Sequence, residues 1–325
     1  MTNPSVLMTD QDDNEFALFG RDLFGETVKP KASGPVAEKF TFPPFTVLDA
    51  RSGDWLDRKR AWQAMGIRGE IGRSAKAYNI HEWAEESAGG SKADGDGTSI
   101  FDPVVCELAY RWFSPSGGQI VDPFAGGSVR GVVAQALGRN YWGCDLRREQ
   151  IDANIAQAND IFGTGDHLNG LQWVCGDSME ELTSAPDADL VFSCPPYGDL
   201  EVYSDDPRDI SNMDYHAFVA AYKRIILRTV KRMKPDTFAC FVVGDFRDSN
   251  GFYRNFVSET IGAFEQCGAR LYNEAILVTP VGSACMRVTK QFDTSRKMAK
   301  THQNVLVFCK GDPRTAARKC AGVVS

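Results

Sequence analysis

A chain of 325 residues with 43% hydrophobic and 24% charged side chains can bury a large core, which excludes a disordered or fibrous protein. The formal net charge of −7 argues against indiscriminate coating of nucleic acid, although local basic patches can hide inside such a total. Nine cysteines without a CxxC pair suggest neither a zinc site nor a disulfide framework, and no apolar run approaches the roughly 20 residues of a membrane span. The start, MTNPSVLMTDQDDNEF, lacks the basic and apolar stretches of a signal peptide, so a cytoplasmic chain with no metal and no membrane partner is expected.

In chain order, residues 1–39 are polar, rich in Asp and then in Pro and Gly, and read as a disordered tail. Residues 40–84 form a small N-terminal segment in which Trp55, Trp62 and Met65 are spaced to share one helix face, with Arg58, Lys59 and Arg60 as its wet side. The stretch EESAGGSKADGDGTS, residues 85–99, cannot build a core and reads as a linker. From 100 to 312, strands and helices alternate, the pattern of a mostly parallel sheet with helices on both faces. PVVCELAYRWF reads as a helix, GQIVDPF as the first strand, VRGVVAQALG as a helix closed by Gly138, NYWGCDL as the second strand and REQIDANIAQAND as its helix. LQWVCGD, DADLVFSCPPY and TFACFVVGDF supply three more strands, with the amphipathic helix YHAFVAAYKRIILRTVKRM before the last of them. A helix around FYRNFVSETIGAFEQCG leads to ARLYNEAILVT and NVLVFCKG, two strands with no helix expected between them, which should pair antiparallel. Seven strands result, and residues 313–325 read as a second tail.

The chemistry-bearing residues sit at strand ends. IVDPFAGGSVRG puts Asp122 at the end of the first strand, followed by a glycine-rich turn and a helix. That turn lacks the Lys-Ser/Thr of a P-loop and the GxGxxG spacing, and alone it is as readily a tight turn with no ligand. Asp145 ends the second strand, where a carboxylate can accept both hydroxyls of a ribose, and Asp177 ends the third, where an adenine edge would lie. Three such aspartates suggest a nucleoside.

DPFAGG, the acid of GCDL, the GD of VCGDS and then CPPY follow in the order found in S-adenosylmethionine-dependent DNA methyltransferases of the amino-group class. Residues 100–310 resemble phage and prophage members of that family, in an order similar to its gamma arrangement. The resemblance implies a Rossmann-like class I methyltransferase fold, α/β, with a seven-stranded mostly parallel sheet, helices on both faces and an antiparallel last strand. It implies S-adenosyl-L-methionine as cofactor and double-stranded DNA as partner, in a phage or restriction–modification setting; a homodimer is compatible with the sequence. It also implies that Asp122, Pro123, Phe124, Ala125, Gly126 and Gly127 surround the methionine part of the cofactor and that Asp145 holds its ribose, with Asp177 or its neighbouring backbone, by its place at a strand end, left for the adenine edge. SIFDPVVCELAYRWFSPSGG, with Phe101 and Asp102, looks like the segment that packs beside the methionine end in this family.

In these enzymes the four-residue motif is Asp, Asn or Ser, then usually Pro-Pro, then an aromatic residue. An exocyclic amine is a poor nucleophile because its lone pair is delocalised, so an oxygen and a backbone carbonyl accept its hydrogens and localise that pair. The prolines fix the carbonyl direction, and the aromatic ring stacks on a base swung out of the duplex. Pro195, Pro196 and Tyr197 fit this pattern, whereas the first position holds Cys194, a weak acceptor, with Ser193 one step upstream. Three readings stay open: Ser193 serves through a local shift, backbone carbonyls suffice, or the target is carbon 5 of cytosine. In the last case Cys194 adds as a thiolate and Glu201 or Asp199 supplies the acid. A Pro-Cys order, usual in cytosine-C5 enzymes, is absent, and amine methylation ranks first. An RNA methyltransferase and a non-catalytic DNA-binding protein are the rival classes.

For DNA, the basic run Lys223, Arg224, Arg228, Lys231, Arg232 and Lys234 reads as a solvated helix face. MRVTKQFDTSRKMAKTHQ, 286–303, reads instead as a long recognition loop in which Arg287, Lys290, Arg296, Lys297 and Lys300 meet phosphates and base edges.

Overall fold

The computed structural model describes residues 39–68, 101–198, 203–281 and 284–321. Most of the expected N-terminal tail, the 85–99 linker, Asp199 and Glu201 lie outside the described residues. The expected strands are all present, as β2 (Gln119–Asp122), β3 (Asn140–Asp145), β4 (Leu171–Cys175), β5 (Ala188–Ser193), β6 (Met233–Val243), β7 (Ala269–Val278) and β8 (His302–Lys310). An eighth, β1 (Val47–Asp49), comes from the N-terminal segment and adds in parallel to β7 at the sheet edge. The sheet order is β1-β7-β8-β6-β5-β2-β3-β4. Only β8 runs antiparallel, to both of its neighbours.

Strand residues alternate between two cores, as the period of two requires. Ile120, Leu190, Phe192, Cys240, Val242, Val305 and Val307 face one cluster, and Val121, Val191, Phe241, Val243, Leu306 and Phe308 the other. Both faces are therefore buried, which explains why these strands read as near-continuous apolar runs. Helices α1 (Gly53–Ala64), α2 (Pro103–Phe113) and α3 (Val129–Ala136) contribute to the first cluster. Helices α6 (Tyr215–Arg232) and α7 (Phe256–Gln266) contribute to the second, while α4 (Arg148–Phe162) and α5 (Ser178–Glu181) follow β3 and β4. Several starts are capped by Asp: Asp102 accepts from the Val104 amide ahead of Pro103, Asp177 from Met179, and Asp214 from His216 and Ala217. Gly138, at φ +66°, follows α3 as expected of a helix-ending glycine.

Three expectations change. Arg58 is buried rather than wet: Trp55, Arg58 and Trp62 share the inner face of α1, where Arg58 forms a bidentate pair with Glu107 of α2. The expected recognition loop, 286–303, overlaps helix α8 (Ala284–Ser295), so β7 and β8 are joined through a helix. Residues 313–320, read as tail, form helix α9 (Pro313–Cys320), capped by Asp312, with Ala316 buried against the core. Of the basic face of α6, Lys223 pairs with Glu259, Arg232 donates to the Ala185 carbonyl and Lys234, just beyond the helix, pairs with Asp189. Among the described residues no helix is long and apolar enough to cross a membrane.

Candidate active site

The chain runs from β2 outward to β3 and β4, then returns past β2 to β5. The crevice that such a reversal opens lies beyond the carboxyl ends of the strands. A cavity of about 650 Å³ occupies it, within the range of small-molecule sites. One half is walled by Phe124, Gly126, Gly127, Asp145, Arg147 and Asp177; the other by Cys194, Pro195, Pro196, Tyr197, Asp245 and Phe246. Phe101, Asp102 and Pro123 also line it, together with Lys59 from α1.

The glycine turn is held by buried charge. Asp122 is fully buried and accepts from Arg130 Nε at 2.6 Å, Tyr141 Oη at 2.8 Å, Ser193 Oγ at 2.5 Å and the Phe124 amide at 3.1 Å. Arg130 in turn donates to the carbonyls of Phe124 and Ala125, and its guanidinium lies 4.8 Å from the Phe101 ring centroid. Burial alone disfavours the Arg130 charge, but Asp122 beside it raises its pKa above the ordinary arginine value. Asp122 and Ala125, expected at the cofactor, therefore sit behind the cavity wall. Gly126 takes a positive φ of +49°, its amide donates to Asp145 Oδ2 at 3.1 Å and its carbonyl accepts from Asn154 at 2.7 Å.

Asp145 lines the cavity at the end of β3, with its second oxygen accepting from the Arg147 amide at 2.9 Å. Burial pushes its carboxyl up from the ordinary value, while the Arg147 and Gly126 amides pull it down. An ionised carboxylate has about four acceptor sites, so two amides leave room for two more donors.

On the other side, Ser193 donates its hydroxyl to Asp122 and is fully buried behind the cavity wall, out of a ligand's reach. The residue that reaches the cavity from the first motif position is Cys194. Tyr197 packs edge-on against Phe246 and Phe256, and its hydroxyl accepts from Gln303 Nε2 at 2.7 Å, fixing the ring at the cavity. Asp245, just past β6, accepts from the Val257 amide at 3.0 Å through one oxygen, and the other has no hydrogen-bond partner among the described residues.

The basic residues assigned to DNA separate. Lys300 lines the cavity, where burial lowers its pKa against the pull of Asp245. Lys290, Arg296 and Lys297 lie outside it, and the side chain of Arg287 is outside the described set. Arg130, Lys59, Asp245 and Gln303 were not singled out from sequence; only Asp245, in a GD pair closing a strand like that of Asp177, carried a visible signal. Among the described residues no group of three or more His, Cys, Asp or Glu side chains is placed to hold a metal.

No family model and no curated protein matches the chain. Among solved structures, TrmN from Thermus thermophilus is similar with a TM-score of 0.43 at 13% identity, over 65% of this chain and 49% of that one, so the chain spans about half its length. A candidate DNA modification methylase from the same organism gives 0.32 at 20% identity, over 42% of this chain and 51% of that one. Magnesium protoporphyrin IX methyltransferase from Synechocystis, with S-adenosylmethionine bound, gives 0.43 at 9% identity, over 73% and 93%. These likenesses concern the arrangement of sheet and helices and carry no activity or substrate to this chain.

Proposed function

We propose that the chain is an S-adenosylmethionine-dependent DNA methyltransferase acting on an exocyclic amine, N4 of cytosine or N6 of adenine, of a base turned out of the duplex. The observation that carries this reading is that the Pro195-Pro196-Tyr197 corner and the Gly126–Asp145 strand ends open into one cavity. A nucleoside cofactor and a base can thus meet there. The residues fit such a cofactor: Asp145 retains acceptor capacity for ribose hydroxyls, Gly126 and Gly127 allow close approach, Asp177 on the same half would meet the adenine, and Lys59, paired with Asp102 at 3.2 Å, keeps further ammonium donors for a carboxylate. When bound, S-adenosylmethionine supplies an electrophilic methyl group. The Tyr197 ring stacks on the base, while the backbone carbonyls of the 194–196 corner and the open oxygen of Asp245 accept the amine hydrogens. In this reading Asp245, on the same cavity wall, serves for the serine or acid missing from the first motif position; as the N–C bond forms the methyl would leave the cofactor's sulfur, and the amine proton passes to Asp245 or to water.

Duplex DNA incubated with the protein and labelled cofactor, then digested to nucleosides, is expected to contain N4-methylcytosine or N6-methyladenine. Transfer confined to RNA, or binding of DNA without cofactor binding, would replace this reading with one of its rivals. A second reading has one observation in its favour: Cys194 itself lines the cavity. Methylation of cytosine carbon 5 through that thiol predicts a denaturation-resistant adduct with 5-fluorocytosine DNA that Cys194→Ser cannot form. We expect no adduct; a trapped complex with 5-methylcytosine in the product would make Cys194 the nucleophile.

A further inference from the structure

Beyond β6 the chain leaves the cavity wall at Phe246 and makes a tight excursion through residues 247–253. It is held by an Arg247–Tyr253 backbone bridge, by hydrogen bonds from the Asp248 amide to the Phe252 carbonyl and from the Gly251 amide to the Asp248 carbonyl, and by the Asp248 carboxylate accepting from the Phe252 amide. Gly251 takes a φ of +90°. This ordered turn holds two aromatic side chains out in solvent: Phe252 is 72% exposed and Tyr253 48%. Exposed rings held on a hydrogen-bonded turn are what a stacking surface looks like.

The surroundings are cationic. The Arg247 guanidinium lies 3.9 Å from the Tyr253 ring centroid and Lys300 Nζ 5.9 Å from it. Lys297 packs so closely on Gly251 that a Cβ there would fall 2.5 Å from its Nζ. Arg296 stands over Phe292 on the same segment, with its Cζ 5.2 Å from the ring centroid. The one acid of the turn, Asp248, is occupied in holding it. Lys300 also lines the cavity, which puts the aromatic tip at the mouth on the substrate side.

We propose that Phe252 and Tyr253 form a stacking platform for the DNA strand beside the target base, with Arg247, Lys297 and Lys300 engaging its phosphates. This rests on the DNA reading above and adds to it a surface for unstacked neighbours of the flipped base. An apolar protein groove suits the tip less well, because cations border the rings.

The test is fluorescence anisotropy of labelled single-stranded oligonucleotides of mixed sequence with the full chain, titrated over a range of salt. Phe252→Ala with Tyr253→Ala should weaken binding about tenfold or more at an unchanged salt slope, because stacking and not charge is lost. Lys297→Ala should weaken it and also lower the slope by about 0.7 unit, the value for one phosphate contact on a single strand. Phe252→Trp with Tyr253→Phe should retain binding, which guards against a mere folding defect. Equal affinity of the alanine double variant and the wild type overturns the platform and leaves the methyltransferase reading intact. Cofactor binding with no affinity for single-stranded or duplex DNA overturns both.

Discussion

Asp122 and Asp145 close adjacent strands around one glycine turn, and their partners separate their roles. Asp145 faces the cavity, so Asp145→Ala is expected to weaken S-adenosylmethionine binding by about 1–3 kcal/mol in a calorimetric titration and to leave the fold intact. Asp122→Ala should instead destabilise the protein by about 3–5 kcal/mol in urea unfolding, because it strands Arg130 as a buried unpaired charge. Unchanged affinity in the first variant would remove Asp145 from the site. From sequence both residues were legible as strand-end aspartates. Which one is consumed by the fold was not legible, because the partners of Asp122 stand 8, 19 and 71 positions away and only the folded sheet brings them together. The same network holds Ser193 behind the wall, whereas its neighbour Cys194 lines the cavity. Under the amine reading, Cys194→Ser retains measurable methyl transfer, whereas Tyr197→Ala loses most of it, with about 1–3 kcal/mol from stacking alone. The reverse order of activities would point to the thiol.

At the scale of elements, α1 is fastened to α2 through one carboxylate. Glu107 accepts from Arg58, from Trp62 Nε1 at 2.9 Å and from Arg111 at 2.9 Å, and is fully buried. Burial pushes its pKa up, but the Arg58 and Arg111 guanidiniums more than offset this and hold it below the ordinary value. Its folded pKa is thus lower than its unfolded one, so the stability it lends is complete above the unfolded value of about 4.3 and is lost as pH falls through the folded value. Glu107→Gln is expected to lower stability at neutral pH and to flatten the acid limb of a melting-temperature profile; an unchanged limb would show that other carboxylates govern it. The two tryptophans of α1 were legible from helical spacing, yet Arg58 on the same face was read as wet because charge outweighed period in that reading. Helix α8 was missed for a related reason: its many Lys, Arg, Thr and Gln residues suggested a binding loop, while Ala284, Val288 and Phe292 recur at the four-residue interval of a helix.

The molecule as a whole follows strands whose continuous apolar runs made the parallel part of the sheet legible. The short β1 escaped because three residues carry no periodic signal. Since the cavity is built from both halves of the sheet, its occupation should stabilise the fold as a unit. S-adenosylmethionine at about 100 times its dissociation constant is expected to add about 2.7 kcal/mol, a rise of roughly 4–5 °C in melting temperature measured by calorimetry. No shift at saturating cofactor would contradict binding to the folded state. The placement of β8 has a consequence for how the chain is made. It follows β6 and β7 in sequence but lies between them, hydrogen-bonded to both. On the ribosome β6 and β7 emerge first and wait, each with an unpaired edge facing the other across an empty lane. The sheet becomes continuous only when residues 302–310 leave the exit tunnel. A nascent chain halted before residue 302 therefore carries two open strand edges, that of β6 strongly apolar, the kind that recruit chaperones or other chains.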